Sequence, residues 1–350
     1  MTYTVALNFE DGVTRVIDVA EDELVTDAAF RQKINLPMDC RDGVCGTCKC
    51  ACEAGEYELE DYIEDALTEE EAEARFVLPC QMTVSSDCVL RIPVSSEICK
   101  TGAQAAAGTV AGIDVLSPTS FELRVGMDAP MAHLPGQYVN VEVPGRGAHR
   151  AYSFSSAPGA AEAAFLVRNI PGGVMSDYLA AEKTGDAVTL TGPMGAFYLR
   201  PVERPQLWLA GGTGLSPFLS MLEDLAARGT DQPIRLYYAV TNAADLVLLD
   251  RVEALAGRIG GVEVITVVAD PAAGHPRQGY VTDHVGAEDL HGGEVDVYLC
   301  GPPPMVEAVR AHFASLGVEP AAFHFEKFTP TEAVAPAPNE AGASSAANAA

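Results

Sequence analysis

Cysteine is the residue type whose spacing in this chain says most about its chemistry. Nine cysteines are present, and eight of them lie in the N-terminal third. Such clustering without an export signal favours metal or redox chemistry over a framework of disulfides. Cys40, Cys45 and Cys48 follow a C-x4-C-x2-C spacing, and Cys80 stands apart from them further along the chain. Three thiolates on one loop and a fourth from another element match the ligands of a 2Fe–2S cluster, so we predict that these four cysteines hold one.

Zinc binding and plain packing are the alternatives to the cluster. Structural zinc sites favour two C-x2-C pairs, and only one such pair is present. Cys80 is favoured as the fourth ligand over Cys88, because Cys88 begins a segment that alternates like a strand. Cys50 and Cys52 share one strand face with Cys48 by their period of two, so we expect them to be packing residues.

A second chemical signal lies in the middle of the chain, where an arginine, a tyrosine and hydroxyl groups follow one another along a predicted strand. An aromatic ring beside hydroxyls offers a flavin a stacking face and hydrogen bonds to its ring edge. An arginine can pair with a pyrophosphate. The alternative is an ordinary amphipathic strand. The candidate flavin residues are Arg150, Tyr152, Ser153, Phe154 and Ser155.

Two glycine-containing loops could bind phosphate groups, because free backbone N–H groups at the start of a helix form an anion site. The first loop opens a predicted helix downstream of the flavin candidates, and on its own it is typical of a plain helix cap. The second follows a strand and opens a helix, which is where dinucleotides bind in doubly wound folds; the alternative is a purely structural turn. The first loop contains Gly172, Gly173, Val174, Met175 and Ser176, and the second contains Gly212, Thr213, Gly214, Ser216 and Pro217.

The charge balance excludes several classes of function. The chain carries 22 basic and 49 acidic side chains, for a net charge of -27. Nucleic-acid binding depends on Lys and Arg at phosphates, and anionic membranes attract basic segments, so neither partner is expected. No apolar run approaches the roughly 18 residues that suggest a membrane span, and the N-terminus lacks the features of a signal peptide. We therefore expect a soluble, cytoplasmic protein.

Three segments with different secondary-structure patterns must position these residues. The first, 1–100, begins with two alternating strands and a hairpin, followed by a helix and further short strands. The second has many short apolar runs punctuated by Gly and Pro and a single helix at 174–182, which suggests an antiparallel barrel. The third alternates strands and helices, which indicates a doubly wound parallel sheet. We predict a linker at 101–108, where residues are small, and a disordered tail at 329–350, which is rich in Ala, Pro and Ser.

These motifs, in this order, resemble a plant-type ferredoxin fused to a module of the ferredoxin–NADP reductase superfamily. The resemblance extends to Gly192-Pro193-Met194-Gly195-Ala196-Phe197 and to Cys300-Gly301-Pro302-Pro303 with Met305. The whole chain is similar to the reductase component of two-component aromatic-ring dioxygenases, particularly the benzoate, toluate and anthranilate 1,2-dioxygenase reductases. This resemblance implies a β-grasp 2Fe–2S ferredoxin domain at 1–100, an antiparallel Greek-key FAD-binding β-barrel at 109–204 and an NAD-binding α/β domain at 205–328.

The resemblance also assigns roles to individual side chains. It implies that Tyr152 packs on the flavin, that Ser153 lies near the reactive N5 atom, and that Cys300 lines the nicotinamide pocket. It places the flavin diphosphate at the loop that begins with Gly172, and it implies that Phe328 covers the flavin until nicotinamide displaces it. The residues that it places at the reacting atoms are Ser153, Cys300, Glu326 and Phe328, and it adds Gly301 and Pro302 to the cofactor contacts.

The activity implied by the resemblance is electron transfer from NADH through FAD and a 2Fe–2S cluster to a Rieske-type terminal oxygenase. Hydride carries two electrons, whereas the cluster accepts one, and a flavin can serve both. The alternatives are the reductase of a di-iron monooxygenase or of a deoxysugar pathway. A further alternative is a binding module or electron carrier whose reductase half has decayed.

Two observations on charge refine this expectation. The loop after the predicted strand at 234–240 contains Asp245 and no base before Arg251, which favours NADH over NADPH. The segment 53–73 holds eleven carboxylates and no base. It is either a solvated acidic face or a surface that steers the chain toward a basic patch on the electron acceptor.

Overall fold

The computed structural model of the protein describes residues 1–38, 40–99, 104–181 and 183–328. The predicted disordered tail at 329–350 lies outside the described residues, as does 101–103 of the predicted linker. In the part of the chain that is described, no helix is long and apolar enough to cross a membrane.

The N-terminal domain is a five-stranded mixed sheet with a short helix packed on it. Its strands run in the order β2-β1-β7-β3-β5, with β1 and β7 parallel and β1 and β2 antiparallel. Alternating apolar side chains of β1 and β2 face one buried core, as period-two patterning requires. The elements are β1 (Thr2–Phe9), β2 (Thr14–Ala20), α1 (Val25–Arg31), β3 (Cys50–Ala54), β4 (Tyr57–Leu59), α2 (Glu69–Glu73), β5 (Phe76–Val77), β6 (Met82–Val84) and β7 (Cys88–Ile92).

The second domain is the predicted antiparallel barrel. Its sheet runs in the order β11-β10-β13-β8-β9-β12, and an antiparallel bridge between Phe154 and Phe165 joins the two edges. The elements are β8 (Gln104–Ser117), β9 (Ser120–Met127), β10 (Tyr138–Val143), β11 (Ala148–Ser153), β12 (Glu162–Arg168), α3 (Val174–Leu179) and β13 (Ala187–Met194).

One boundary of the barrel corrects the sequence prediction. The segment 104–108 belongs to β8 and pairs with β13, with Ala106 opposite Leu190. The prediction of a linker is therefore wrong for 104–108. Runs of Ala and Gly have little intrinsic preference for strands, but the pairing with β13 overrides that preference.

The third domain is a parallel sheet covered by helices on both faces, as predicted. The strand order is β16-β15-β14-β17-β18 and every pair is parallel. Helices α4 and α5 bury one face of the sheet, and α6 buries the other. The elements are β14 (Gln206–Gly211), α4 (Leu215–Arg228), β15 (Ile234–Val240), α5 (Leu249–Ile259), β16 (Val262–Val268), β17 (Asp296–Gly301), α6 (Pro303–Leu316) and β18 (Ala322–Lys327).

Tyr198, which follows the barrel, fastens the N-terminal domain to the rest of the chain. Its ring is buried among the core residues of the N-terminal domain. Its hydroxyl donates to the Glu10 carboxylate and accepts the Ser95 N–H at 2.8 Å. The Arg200 guanidinium lies 4.2 Å from the centroid of the Tyr198 ring, 3.2 Å from Glu10 and 3.0 Å from the Pro93 carbonyl. Burial of the Tyr198 ring and polar contacts of its hydroxyl and of Arg200 thus both hold the N-terminal domain against the rest of the chain.

His133 joins the barrel to the third domain. Its ring stacks on Phe154, with centroids 3.8 Å apart and 9° between the planes. One ring nitrogen lies 3.4 Å from Ser220 Oγ on α4, and the other lies 3.2 Å from the Met131 carbonyl. Burial lowers the pKa of His133 to about 4, so the imidazole is neutral at pH 7.

We predict that this buried histidine makes the protein sensitive to mild acid. Below about pH 6.5 the unfolded chain protonates this imidazole, whereas the folded chain does not until about pH 4. The unfolded state therefore binds more protons across this window, and stability falls as the pH falls. Between pH 7 and pH 5 the loss from His133 should be roughly 2 kcal/mol. Urea unfolding at both pH values should show His133→Phe losing less stability than the wild type.

The matched control is the exposed His149, replaced by Gln. His149→Gln should retain the acid sensitivity of the wild type. Equal losses of stability in the wild type and in His133→Phe would contradict the assignment.

Candidate functional site

The four predicted ligand cysteines lie as two pairs. The Cys48 and Cys80 sulfurs are 3.4 Å apart and buried, and Cys40 and Cys45 are hydrogen-bond partners at the partly exposed end of the loop. The hydrogen bond from Cys48 lowers the pKa of Cys80 to about 6, while the pKa of Cys48 is raised. In a 2Fe–2S cluster each iron takes two protein ligands, so two pairs of thiols are the arrangement that the cluster needs.

The pairing fits a two-iron cluster better than a single metal ion. A structural zinc ion needs four ligands around one point. The four thiols instead contact each other in two pairs, Cys48 with Cys80 and Cys40 with Cys45, which suits two irons.

Backbone N–H groups of the loop point at the sulfurs. The Gly43 backbone hydrogen-bonds to Cys80, and the Thr47 N–H lies 3.4 Å from Cys45 Sγ. Gly43 has a φ of +69°, and a Cβ at this position would lie 2.6 Å from the Asp61 carbonyl oxygen. Only glycine can adopt this conformation in that space, and the amide donors stabilise thiolates.

The cysteines of β3 and β7 lie in the core. Cys50, Cys52 and Cys88 are buried among the apolar residues of the N-terminal domain. Cys88 hydrogen-bonds to Cys52 and, together with Arg75, lowers the pKa of Cys52 to about 6. Cys88 is therefore occupied away from the cysteine loop, in keeping with the choice of Cys80 as the fourth ligand.

The arginine–tyrosine–serine motif lies at the end of β11. The Tyr152 ring is partly exposed, and the Ser153 hydroxyl donates to Glu326 at 3.1 Å. Phe154 and Ser155 are buried, with Phe154 stacked on the histidine described above. We therefore expect Arg150, Tyr152 and Ser153 to face a flavin, and Phe154 and Ser155 to support the strand from behind.

The first glycine loop leads into α3. Gly173 is the N-cap residue and provides no side-chain cap, so the N–H groups of the first turn remain available to an anion. Gly172 has a φ of +74° and open space around the position of a Cβ. The Ser176 hydroxyl accepts the Ile170 N–H at 2.8 Å, which fixes the loop. Met175 and Ser176 are buried, so the pyrophosphate is expected at Gly172, Gly173 and Val174.

The second glycine loop meets the Cys300 motif at the centre of the third domain. The carboxyl ends of β14 and β17 are adjacent there, and the strand order reverses between them. A Cβ at Gly214 would lie 2.2 Å from the Cys300 carbonyl oxygen, so only glycine permits this approach. Gly212 has a φ of +56° and open space around it. This is the topological switch point at which doubly wound sheets bind nucleotides.

The Ser216 hydroxyl joins the barrel to the third domain. Ser216 is buried, its hydroxyl donates to the Ser153 carbonyl at 2.7 Å, and it accepts the Leu166 N–H at 3.3 Å. Its neighbour Pro217 is also buried within α4. The prediction that both residues contact the nucleotide stays a prediction, and the Ser216 hydroxyl in addition positions the loop that contains Gly212, Thr213 and Gly214.

The residues predicted at the reacting atoms come together from three strands. Glu326 Oε2 lies 3.1 Å from Ser153 Oγ and 4.0 Å from Cys300 Sγ. Burial raises the pKa of Cys300 well above its ordinary value, so it remains a neutral thiol. The Phe328 N–H donates to the Gly301 carbonyl at 3.0 Å, and its side chain packs against the core beneath α4. Barrel and third domain thus share one polar centre.

Two charged residues near the nucleotide loop are engaged elsewhere. Arg251 donates to the Ser155 carbonyl at 2.8 Å and pairs with Glu223 at 2.9 Å, so it braces the barrel. Asp245 accepts hydrogen bonds from Ser117 at 2.8 Å and from Thr119 at 2.5 Å in the barrel. Sequence reasoning did not find these contacts, because each joins residues far apart in the chain that carry no motif.

Comparison with known proteins agrees with this three-part site. A 2Fe-2S iron-sulfur cluster binding domain matches residues 8–85, an oxidoreductase FAD-binding domain matches 111–198, and an oxidoreductase NAD-binding domain matches 208–311. The chain is 52% identical to the toluate 1,2-dioxygenase electron transfer component of Pseudomonas putida, over 94% of this chain and 99% of the relative. It is 48% identical to the 2-halobenzoate 1,2-dioxygenase electron transfer component of Burkholderia cepacia, over 95% and 99%.

A solved structure has the same fold over nearly the whole chain. The crystal structure of the Amycolatopsis cytochrome P450 reductase GcoB aligns with a TM-score of 0.67 at 32% identity, covering 93% of this chain and 99% of that one. The arrangement of the three domains is therefore not peculiar to dioxygenase systems.

We predict that Cys45→Ser removes iron and leaves flavin bound. The substitution takes one ligand from the Cys40 pair, whereas the flavin residues lie in another domain. Purified wild type should contain about two irons per chain, as a 2Fe–2S cluster requires, and iron and flavin are measured chemically. Cys52→Ser, which changes a core cysteine outside the loop, should keep its iron. Zinc in place of iron in the wild type would overturn the assignment.

Proposed function

This chain belongs to the family of electron transfer components of aromatic-ring 1,2-dioxygenases, and we propose that it carries electrons from NADH through FAD and a 2Fe–2S cluster to the oxygenase of such a system. The observation that carries the proposal is the convergence of Ser153, Cys300 and Glu326, from β11, β17 and β18, into one polar centre. On the same chain, the cysteine loop belongs to a domain that Tyr198 fastens to the barrel.

The donor sets of this chain match the three groups. When bound, the flavin takes two electrons as hydride and passes them on singly to the cluster. Arg150, Tyr152 and Ser153 supply a cation, a ring and a hydroxyl for the flavin, and Gly172 and Gly173 supply backbone N–H groups. The residues proposed for the nucleotide are Gly212, Thr213, Gly214, Cys300, Gly301 and Pro302, and those proposed for the cluster are Cys40, Cys45, Cys48 and Cys80.

The polar centre orients the reactants rather than transferring protons. The Ser153 hydroxyl is fixed by Glu326, so its direction is set before substrates arrive. Cys300 remains a neutral thiol and presents a small, soft surface without charge. Hydride transfer needs no side-chain base, so positioning supplies most of the rate. We propose that Phe328, which follows β18 directly, shields this centre from water.

The surface around the cysteine loop is suited to an electron acceptor. Val44 and Ile63 are each 45% exposed, Tyr62 is 38% exposed, and the Ile63 N–H bonds to the Gly43 carbonyl at 3.2 Å. Tyr62 and Ile63 lie within the acidic segment 53–73, where Asp61 and Glu64 flank them in the sequence. An apolar patch within an acidic segment fits an acceptor whose contact surface is basic, and we propose that the oxygenase docks there.

The acceptor distinguishes the proposed function from its alternatives. A reductase for a di-iron monooxygenase or a deoxysugar pathway would use the same three sites. Identities of 52% and 48% to 1,2-dioxygenase components favour the dioxygenase system. Reconstitution with purified oxygenases of each class, following NADH consumption and hydroxylated product, tests this directly. Coupled turnover with a monooxygenase alone would reject the proposal.

We predict that activities with two artificial electron acceptors reveal that the flavin precedes the cluster in the electron-transfer chain. Ferricyanide accepts electrons from the flavin directly, so Cys45→Ser should retain most of the NADH–ferricyanide activity. Cytochrome c reduction should fall by at least about tenfold, because it requires the cluster. Cys52→Ser should retain both activities. A parallel loss of both activities in Cys45→Ser would mean that the cluster does not lie after the flavin.

The preference for NADH rests on charge at the loop after β15. Burial acts to raise the pKa of Asp245, but hydrogen bonds from Thr119, Ser117 and Asn242 hold it below its ordinary value. The carboxylate therefore remains negative and would repel a 2′-phosphate. Arg251, the first base that follows, is held by Glu223 and the Ser155 carbonyl and cannot compensate.

We predict that NADH is preferred over NADPH by about 30- to 1000-fold in kcat/KM, which corresponds to roughly 2–4 kcal/mol of repulsion and lost phosphate contacts. Asp245→Asn should narrow this ratio several-fold, mainly by improving NADPH. Steady-state kinetics with both nucleotides measures this ratio of kcat/KM values. Thr119→Val removes a hydrogen bond but leaves the charge, so it should keep the wild-type ratio. Similar kcat/KM values for both nucleotides in the wild type would refute the charge argument.

A further inference from the structure

Five charged side chains lie where the N-terminal domain meets α6 and β18. We call them the interdomain charge cluster: Lys49, Glu71, Glu307, Arg310 and Lys327. Lys49 and Glu71 belong to the N-terminal domain, and the other three belong to the third domain. None of them belongs to the proposed cofactor contacts.

Within the interdomain charge cluster, Glu71 makes ion pairs on both sides of the interface. Its carboxylate lies 2.5 Å from Lys49 Nζ within its own domain and 3.5 Å from the Arg310 guanidinium across the interface. The same carboxylate accepts the Thr68 N–H at 3.0 Å in the capping box of α2. On the other side, Lys327 pairs with Glu307 at 2.8 Å. Arg310 and Lys327 both lie close enough to Lys49 to repel it. Glu71 therefore holds together a junction at which three cations meet.

The position of this junction matters for electron transfer. Lys49 directly follows Cys48, a proposed cluster ligand, and Lys327 lies between Glu326 and Phe328 of the polar centre. Contact at this junction therefore holds the cysteine loop against the strand that carries part of the flavin site. Loss of the contact would separate the cluster from the flavin without altering either site.

The two contacts of the N-terminal domain differ in kind. The Tyr198 contact buries an aromatic ring in a continuous core. At the interdomain charge cluster, by contrast, the Arg310 side chain is 36% exposed and its distance to Glu71 is long. Partly exposed ion pairs are weak and are screened by salt. The first contact is thus a permanent attachment, and the second is one that salt or a change of charge can release.

We propose that Glu71 and Arg310 form an electrostatic clasp that positions the cysteine loop against β18 and thereby sets the rate of electron transfer from flavin to cluster. The inference rests on the proposed function. Glu71 and Arg310 are positioning residues, since they act through the placement of the domain. Because Glu71 pairs with both Lys49 and Arg310, its loss leaves these two cations to repel each other and should have a larger effect than the loss of Arg310.

The test compares Glu71→Gln, Arg310→Gln and the exposed control Glu73→Gln in the full chain with its cofactors. Glutamine at position 71 still completes a capping box, so α2 is kept. Each protein is mixed anaerobically with NADH, and flavin reduction and cluster bleaching are followed by stopped-flow absorbance at about 0.05 M and about 0.5 M salt.

We expect Glu71→Gln to slow cluster reduction at low salt by roughly two- to fivefold, the range of a partly exposed ion pair. Iron content, flavin reduction and NADH–ferricyanide activity should not change. High salt should slow the wild type by screening the attraction between Glu71 and Arg310, and it should not slow the variant, in which only repulsion between cations remains. A merely structural role would not produce this difference. The double variant Glu71→Gln/Arg310→Gln should be no slower than Glu71→Gln, because both changes remove one contact.

Two outcomes overturn the proposal. Cluster reduction in Glu71→Gln that matches Glu73→Gln at both salt concentrations would show that no clasp exists. A salt-independent rate in the wild type would show the same. If the wild type reduces its flavin but never its cluster, the proposed function fails instead, and the two failures are therefore distinguishable.

Discussion

The burial of Tyr198 in the core of the N-terminal domain is the contact on which the arrangement of the three domains depends. A tether alone would leave the separation between the proposed cluster and flavin sites variable, whereas a packed contact restricts it. Here a ring from the end of the barrel completes the core of another domain, and its hydroxyl and the neighbouring Arg200 satisfy polar groups of Glu10, Pro93 and Ser95. The core of the N-terminal domain thus includes a side chain from outside that domain.

A second junction joins the barrel to the third domain through buried hydrogen bonds. Ser216, at the start of α4, bonds to the carbonyl of Ser153, and His133 of the barrel reaches Ser220 on the same helix. The helix proposed to present N–H groups to a nucleotide is therefore fixed to the strand proposed to present a hydroxyl to a flavin. Positioning to within a fraction of an ångström is what a reaction without acid or base catalysis demands.

Local chemistry could be predicted from the sequence, whereas the contacts between domains could not. The cysteine spacing and the glycine loops are local, and the pairs of thiols and the switch point lie where these motifs predict. Ser153 and Glu326 are 173 residues apart, and Tyr198 and Glu10 are 188 apart. No periodicity connects such pairs, because their proximity results from the packing of whole domains. The strand at 104–108 could not be predicted either, because its small residues have little preference for strands and it forms by pairing with β13.

Strand β18 places two functions on opposite faces of one short segment. Phe325 and Lys327 face α6, where Arg310 lies over the Phe325 ring and Glu307 binds Lys327, whereas His324 and Glu326 face Tyr298 and the Ser153 hydroxyl. Because side chains alternate along a strand, a deletion or insertion of one residue before Phe325 would exchange the two faces. A deletion would bring the lysine to the position of Glu326 in the polar centre, and an insertion would bring a carboxylate to the position of Lys327, opposite Glu307. A change of one residue in the length of this segment would therefore disturb both faces at once.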